Sequence, residues 1–490
     1  MTKENSSTPS RGLFFAVVLM GALVILTVVG YFLWLPNLAP KLITLAILPF
    51  EGDETTPDHL KYELPRFLTM RLSESRDLNI VDFYDTREWF ETGEVQFQTS
   101  AIVLGATHLL VGEFKSVADT DEFDLEIKLV DVSKVSPSMK WESTFSSGEQ
   151  SILEIHNEIV TDVREKLYDK SPLAPLEEEL NSASFEHLLR AYSLVSDGRI
   201  NDAAKLLLAE NHQRESAHSS YLLSQLLSTS RAQYVERALK LDPNHYLALI
   251  ENVDILYERD QDFLQYLDNV TKLASRYPNS KAVSSLARIY HELGWFAEEQ
   301  ELLYRVSRIQ PLSSEVALRI AFSRFHTEDH ELVTDALQIA QLREPSDEQV
   351  TRYRELFDWN LLEQRNDVGA NEYLRLIQGE YGYSNLASMP SNLIQKFTCD
   401  ELVELALYLD DFDGAFDALS CSRRLWLQPP PFWNEDEPQW VSFVGDDRYS
   451  QWLQAKGLDL ARLAELTPPV VRKLFIPKRR YLWSPKSESE

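Results

Sequence analysis

Apolar positions follow three successive patterns along this chain, and each predicts a different kind of structure. The first is unbroken. LFFAVVLMGALVILTVVGYFLWL, Leu13–Leu35, carries no charge over 23 residues. As a helix rising 1.5 Å per residue it reaches ~34 Å, enough to cross a ~30 Å hydrocarbon core. Fourteen positions up to Leu33 are Leu, Ile, Val or Phe, and at about −0.3 to −0.6 kcal/mol each they favour insertion by roughly 4 to 8 kcal/mol. Tyr31 and Trp34 stand near its end, where amphipathic rings settle at the headgroup level. The rival is a cleaved signal, whose apolar region would run only ~7–15 residues to a small-x-small site; here Asn37-Leu38-Ala39 runs into Pro40. Lys3, Arg11 and the terminal amine mark residues 1–12 as cytoplasmic, against a weaker opposing signal from Lys41 and Lys61. The expectation is a single-pass protein of a Gram-negative inner membrane, with its bulk in the periplasm.

The second pattern, over residues 42–168, mixes short apolar runs, strict alternation and helical stripes, and predicts an α/β module. LITLAILPF at 42–50 reads as a buried strand ended by proline. Leu60, Leu64, Phe67, Leu68 and Leu72 recur at helical spacing and would cover one face of a sheet. NIVDF at 79–83 predicts a second strand; THLLVGEF at 107–114 predicts a third, after a helical stretch ending near Leu104. In FDLEIKLVDV at 123–132, Phe123, Leu125, Ile127 and Leu129 alternate inward with Asp124, Glu126 and Lys128 outward. MKWESTF at 139–145 adds a strand, and Ile152, Ile155, Ile159, Val163 and Leu167 close the module with an amphipathic helix.

A proline-containing acidic spacer at 169–181 then leads into the third pattern, an all-helical region over 182–428. Its period is carried by proline: Pro243, Pro278, Pro311 and Pro345 follow one another at 35, 33 and 34 residues. Proline there ends the second helix of a pair and sets the turn into the next. The clearest copy runs from Lys281 to Pro311, with Leu286, Ala287 and Tyr290 on its first helix, Gly294 at the turn and Leu303 on the second. Small Ala287 lets the two helices approach, and Tyr290 and Leu303 fill between them. Glu299 and Val306 stand where such repeats carry alanine, which predicts looser local packing. The aromatic-rich segment at 429–465 reads as a cap over the last apolar face. The tail at 466–490 is basic and aromatic in VRKLFIPKRRYLW, and it would either dock on the acidic repeats, a partner or anionic lipid, or stay disordered.

Charge and composition narrow the function. With 77 acids against 48 bases the net charge is −29, which opposes direct contact with nucleic acid. Cys399 and Cys421 alone exclude a thiolate-built metal cluster. Cys399 opens one predicted helix and Cys421 ends the next, so an antiparallel pair brings them to one end: either a disulfide, in an oxidising compartment, or two buried thiols. His326 and His330 in HTEDH are four apart, a spacing that suits a metal on a helix but that here falls at an inter-helix turn, where a solvated loop is the plainer reading. His108 lies in a strand and reads as a satisfied core or edge residue. The sequence lacks the Walker, Gly-x-Gly-x-x-Gly and Gly-x-Ser-x-Gly patterns, so the expectation is no enzyme, no cofactor and no metal.

The order LAILPF, amphipathic helix, LNIVDF, LGATHLLVGEF, a strand ending LVDV, a Trp-containing strand and ILEIHNEIVTDVREKL resembles the TolB N-terminal-like domain. The proline period and the Lys281–Pro311 copy resemble tetratricopeptide repeats. That combination resembles the periplasmic sensory region of CadC-type membrane-anchored regulators, but only Met1–Gly12 stands where those place a winged-helix DNA-binding domain. The resemblance implies a membrane-anchored periplasmic sensor or scaffold whose repeats bind a protein or a small cationic ligand. An accessory subunit of a cell-envelope complex, with no sensing role, is the alternative. Repeats of this kind also pack on a neighbouring module or on a second copy of the chain, so a homo-oligomer is a candidate state.

Overall fold

The computed structural model describes residues 43–466 apart from 94–95, 118–119, 121, 135, 168, 170–179, 212–214, 261, 280, 327–329, 345–349, 355–356, 358–382, 423, 425, 431–436, 459–462 and 464–465. The apolar segment 13–35 with Tyr31 and Trp34, Pro345, and the tail beyond 466 lie outside the described residues. Among the described residues no helix is long and apolar enough to cross a membrane.

The N-terminal part is a small mixed sheet with helices on both faces. Its strands are β1 (Ile43–Ile47), β2 (Leu78–Ile80), β3 (His108–Ser116), β4 (Phe123–Asp131) and β5 (Ser138–Ser146), in the order β2-β1-β3-β4-β5. β1 runs parallel to both neighbours, whereas β3, β4 and β5 are antiparallel. Helix α1 (Leu64–Leu72) carries Pro65 in its first turn, where a missing N–H costs nothing, and continues a widened turn at His59–Glu63. The expected strand at 79–83 stops at Ile80 because the Asp82 carboxylate accepts from the Tyr84 N–H and caps α2 (Phe83–Glu91). Then comes α3 (Phe97–Val103), and α4 (Ile152–Lys166) closes the module behind a Ser151/Glu154 capping box.

Alternation decides which face each helix covers. Leu45, Ile47, Leu110, Leu125, Ile127 and Leu129 meet the apolar stripes of α1 and α4, while Ala46, Leu48, Leu109 and Val130 pack with Ala101 and Leu104 beside α3 on the other side. Gly112 in β3 lies under Phe50. A Cβ there would stand 2.7 Å from both the Phe50 ring and Ile127 Cδ1. Gly112→Ala should therefore destabilise by about 1–3 kcal/mol through overpacking, read as a lower urea midpoint; an unchanged midpoint would mean that Phe50 yields freely.

The helical part is built from consecutive antiparallel pairs: α5 (Ser182–Ser196) with α6 (Ile200–Asn211), α7 (Ala217–Leu226) with α8 (Arg231–Leu241), α9 (Tyr246–Asp260) with α10 (Phe263–Arg276), α11 (Lys281–Glu292) with α12 (Phe296–Ile309), and α13 (Ser314–Phe325) with α14 (His330–Arg343). A last pair, α15 (Cys399–Tyr408) and α16 (Phe412–Leu419), precedes α17 (Pro438–Val444) and α18 (Asp447–Ala455). Trp440, Phe443, Tyr449 and Leu453 of this closing segment complete the apolar core of the pairs, with Phe416 stacked on Phe443 at 4.8 Å.

Composition places a boundary at 169–181, but the core does not stop there. Leu180, Phe185, Leu188, Leu189, Tyr192, Leu207, Leu222 and Leu223 belong to the same buried cluster as Phe67, Ile155 and Ile159. α5, α6 and α7 extend this core on α1 and α4, which cover the sheet's first apolar face. From Tyr246 to Leu458 a second continuous core serves the remaining pairs.

Candidate interaction surface

Leu286, Ala287, Tyr290 and Leu303 are fully buried between α11 and α12, and Gly294 takes φ +70° at the turn between them, a conformation that suits glycine. Glu299 and Val306, where looser packing is expected, are both buried. Glu299 Oε2 is 3.0 Å from His291 Nδ1, and Arg319 of α13 lies 3.9 Å from Oε1 while donating to the Ser284 carbonyl and hydroxyl. A buried polar network occupies the space that a consensus alanine would leave to its neighbours.

The periodic prolines mark one end of the helix pairs, and that end is covered. Pro243, Pro278 and Pro311 lie in the turns between pairs, and residues beside them bind the α/β module. Asn279 Nδ2 donates to the carbonyls of Ser75 at 2.9 Å and Leu78 at 2.7 Å. Arg76 Nε donates to the Arg276 carbonyl, the Asp82 N–H to the Ile309 carbonyl at 2.6 Å, and the Leu312 N–H to Asp85 Oδ2 at 2.7 Å. Next to Pro243, His245 Nε2 is 2.9 Å from His218 Nδ1. The Phe67 ring of α1 packs edge-on against His218, His156 and Phe185.

Electrostatics along this seam are dominated by loss of water. Burial pushes Asp85 up to about 7 and raises Asp82. It lowers Arg343 to about 10, His156 to about 3 and His245 to about 4, and it takes His218 well below its usual value.

Opposite the proline turns, at the far end of α11, the chain's own segment Ser422–Pro430 is seated. None of its described residues is helical. Arg424 spends its whole guanidinium there: Nε is 3.2 Å from Glu292 Oε1, Nη1 is 3.8 Å from Glu404, and Nη2 donates to the carbonyls of Gln428 and Pro429. Its plane lies 4.3 Å from the Trp426 ring centre. The second oxygen of Glu292 accepts from the Leu427 N–H at 3.3 Å. Trp426 is completely buried, its Nε1 donating to Ser422 Oγ and its carbonyl accepting from Tyr449 of α18. Gln428 comes so near Gly294 that a Cβ there would be 2.9 Å from its Nε2. Asp400 accepts from Ser422 Oγ and the Arg424 N–H, fixing the start of the segment.

No family model matches the chain, and no curated protein is significantly similar to it.

Other sequence candidates fall outside this surface or support it. Cys399 and Cys421 are joined as a disulfide with Cα atoms 5.7 Å apart, one residue before the seated segment. It closes a loop of 22 residues, so Cys399→Ser/Cys421→Ser should lower stability by about 3 kcal/mol on the chain-entropy account, seen in denaturation under oxidising conditions. A reductant should reproduce the loss in the wild type and add nothing in the variant. His326 is half-buried, stacked on Phe296 at 4.2 Å and lowered by burial to about 3, which replaces the solvated position expected of it; the side chain of His330 lies outside the described ones. His108 is buried with Nδ1 3.0 Å from Thr107 Oγ1. Among the described residues no three His, Cys, Asp or Glu side chains gather as a metal site. The hollow between α9 and α10, beside Tyr257 and Tyr266, has a volume of about 10 Å³, room for one water rather than a ligand.

The sequence alone did not single out Glu292, Glu404, Arg424 or Trp426. Their only signal is an Arg-Arg-Leu-Trp-Leu-Gln-Pro-Pro stretch, basic and aromatic inside an acidic region.

Proposed function

We propose that this chain is a non-enzymatic, membrane-anchored periplasmic signalling or scaffold protein, tethered by residues 13–35, that holds a protein partner on its array of helix pairs. The observation that carries this reading is the seating of a non-helical, turned polypeptide segment against the end of a helix pair by buried carboxylates. Helical-repeat arrays use the same mode to hold partners. A mixed β2-β1-β3-β4-β5 sheet followed by helix pairs agrees with the resemblance to a TolB N-terminal-like domain and tetratricopeptide repeats. A disulfide between half-buried Cys399 and exposed Cys421 suits an oxidising compartment. A net charge of −29 favours cationic ligands, either a basic stretch of a protein or a small polyamine-like cation.

Two measurements test it. A C-terminal alkaline phosphatase fusion should be active, and photocrosslinking from Ala297, exposed at the start of α12, should give a discrete adduct in intact membranes. A fusion active only in the cytosolic-reporter form removes the periplasmic assignment. Failure of Ala297 and of other exposed array positions to crosslink removes partner binding. A sensor should gain or lose its adduct with pH or added cation; an adduct indifferent to both identifies an accessory subunit.

A further inference from the structure

Glu292 and Glu404 come from α11 and α15, 112 positions apart, and both are about 95 % buried. Buried carboxylates are strongly disfavoured unless an opposite charge meets them. Arg424 of the seated segment meets both, and Leu427 supplies the remaining donor to Glu292. Gly294 leaves the space into which Gln428 fits. These residues together form a built acceptor for a turned, non-helical segment with an arginine at its head, which folds back onto its own Gln428 and Pro429 carbonyls.

The present occupant fits it imperfectly. Trp426 is held at φ +51°, a left-handed conformation unfavourable for a residue with a Cβ. Gln428 Oε1 is buried without a hydrogen-bond partner, which leaves a desolvated acceptor uncompensated. A segment that offered the same cation and ring without these two defects would bind better than the resident one.

We propose that the acceptor made by Glu292, Glu404 and the Gly294 turn is the partner-binding site of the array. Its ligand is a non-helical peptide carrying arginine, an aromatic residue two or three positions later, and then proline, and Ser422–Pro430 holds the site until such a peptide displaces it. The proposal rests on the reading of the array as a partner-binding surface. It adds the chemistry of the partner and a competition between the partner and the chain itself.

The test uses full-length protein in detergent and a fluorescent peptide of sequence Ser-Arg-Arg-Leu-Trp-Leu-Ala-Pro-Pro, residues 422–430 with Gln428→Ala so that it lacks the unpaired acceptor of the resident segment. Anisotropy should show binding to the wild type. Hydrogen exchange of the 422–430 segment should rise as the peptide saturates, because the resident Leu427 N–H loses Glu292. Arg424→Gln removes the resident cation that pairs with Glu292 and approaches Glu404, so this variant should bind the peptide at least tenfold tighter than wild type. Adding Glu292→Gln should cancel that gain. A folded Arg424→Gln protein that binds no tighter than wild type overturns the proposal. So does peptide binding that leaves exchange at 422–430 unchanged, a measurement on the wild type that stands even where Arg424→Gln does not fold. The two readings separate in membranes: crosslinked partner that persists in Glu292→Gln removes this site and leaves the array reading standing, whereas absence of any adduct in the wild type removes the array reading itself.

Discussion

Asp85→Asn should stabilise the protein, and by more as the pH rises. Asp85 lies on α2 against the Pro311 turn, where burial raises its pKa from 3.8 to about 7. The raised value means that the folded state keeps a proton which the unfolded chain gives up near pH 4. Stability from this residue is therefore full below 3.8, falls as pH rises to 7, and stays reduced above it. A difference of about three pKa units corresponds to roughly 4 kcal/mol at pH 8, and to about 1.6 kcal/mol at pH 5. Asparagine still accepts from the Leu312 N–H and carries no charge to desolvate. Urea titrations of wild type and variant at pH 3.5, 5 and 8 should give midpoints that coincide in acid and separate progressively; a variant less stable than wild type at pH 8 would show that the ionised carboxylate is compensated, with Arg343 the nearest candidate.

Acid should act on the other half of the same seam in the opposite direction. His156, His218 and His245 are all lowered by burial, with Arg71 adding repulsion to each. They fold neutral, and the unfolded chain protonates them near 6.5. Their contribution is fully present above pH 6.5 and is lost as pH falls toward the folded values, about 3 for His156 and about 4 for His245. Between pH 7 and pH 5 His156 and His245 lose about 2 kcal/mol each, roughly 4 together, and His218 acts in the same direction, against some 2 kcal/mol regained at Asp85. The net expectation is a loss of at least about 2 kcal/mol in denaturation experiments, a sizeable part of the ~5–15 kcal/mol stability of a typical domain. His156→Phe, which keeps an aromatic ring between Phe67 and Phe185, should return about 2 kcal/mol of that loss at pH 5. Stability that holds level from pH 7 to 5, or a variant as acid-labile as wild type, would count against charging of these rings.

Local periodicity made much of this fold legible, because its elements answer to neighbours in sequence. The alternation of Leu125, Ile127 and Leu129 and the stripe of Leu64, Phe67, Leu68 and Leu72 each state which side is buried. Prolines at the repeat period placed three turns correctly without revealing what the turns touch. Asn279 reaches Ser75 and Leu78 across about 200 residues, and Glu292 meets Arg424 across 132. No periodicity encodes such pairs. Glu299 shows the reverse case: read against a consensus it looked like a packing defect, and its partners His291 and Arg319 could be recognised only once the helices were in place. Single acids in a chain this acidic carry no mark that distinguishes the buried few from the solvated many.

A polypeptide made from its N-terminus presents the sheet with α1 and α4 before the helices that extend their core. Synthesis that paused near residue 170 would leave Phe67 of α1 without Phe185 and His218, which would not yet have emerged. The core of the α/β module stays incomplete for about 60 more residues, a few seconds at bacterial elongation rates of ~20 per second. During that interval the nascent chain offers a sticky apolar face, so a holding chaperone at the exit site should be a condition of efficient production, and truncation after α4 should yield aggregate rather than a small soluble domain.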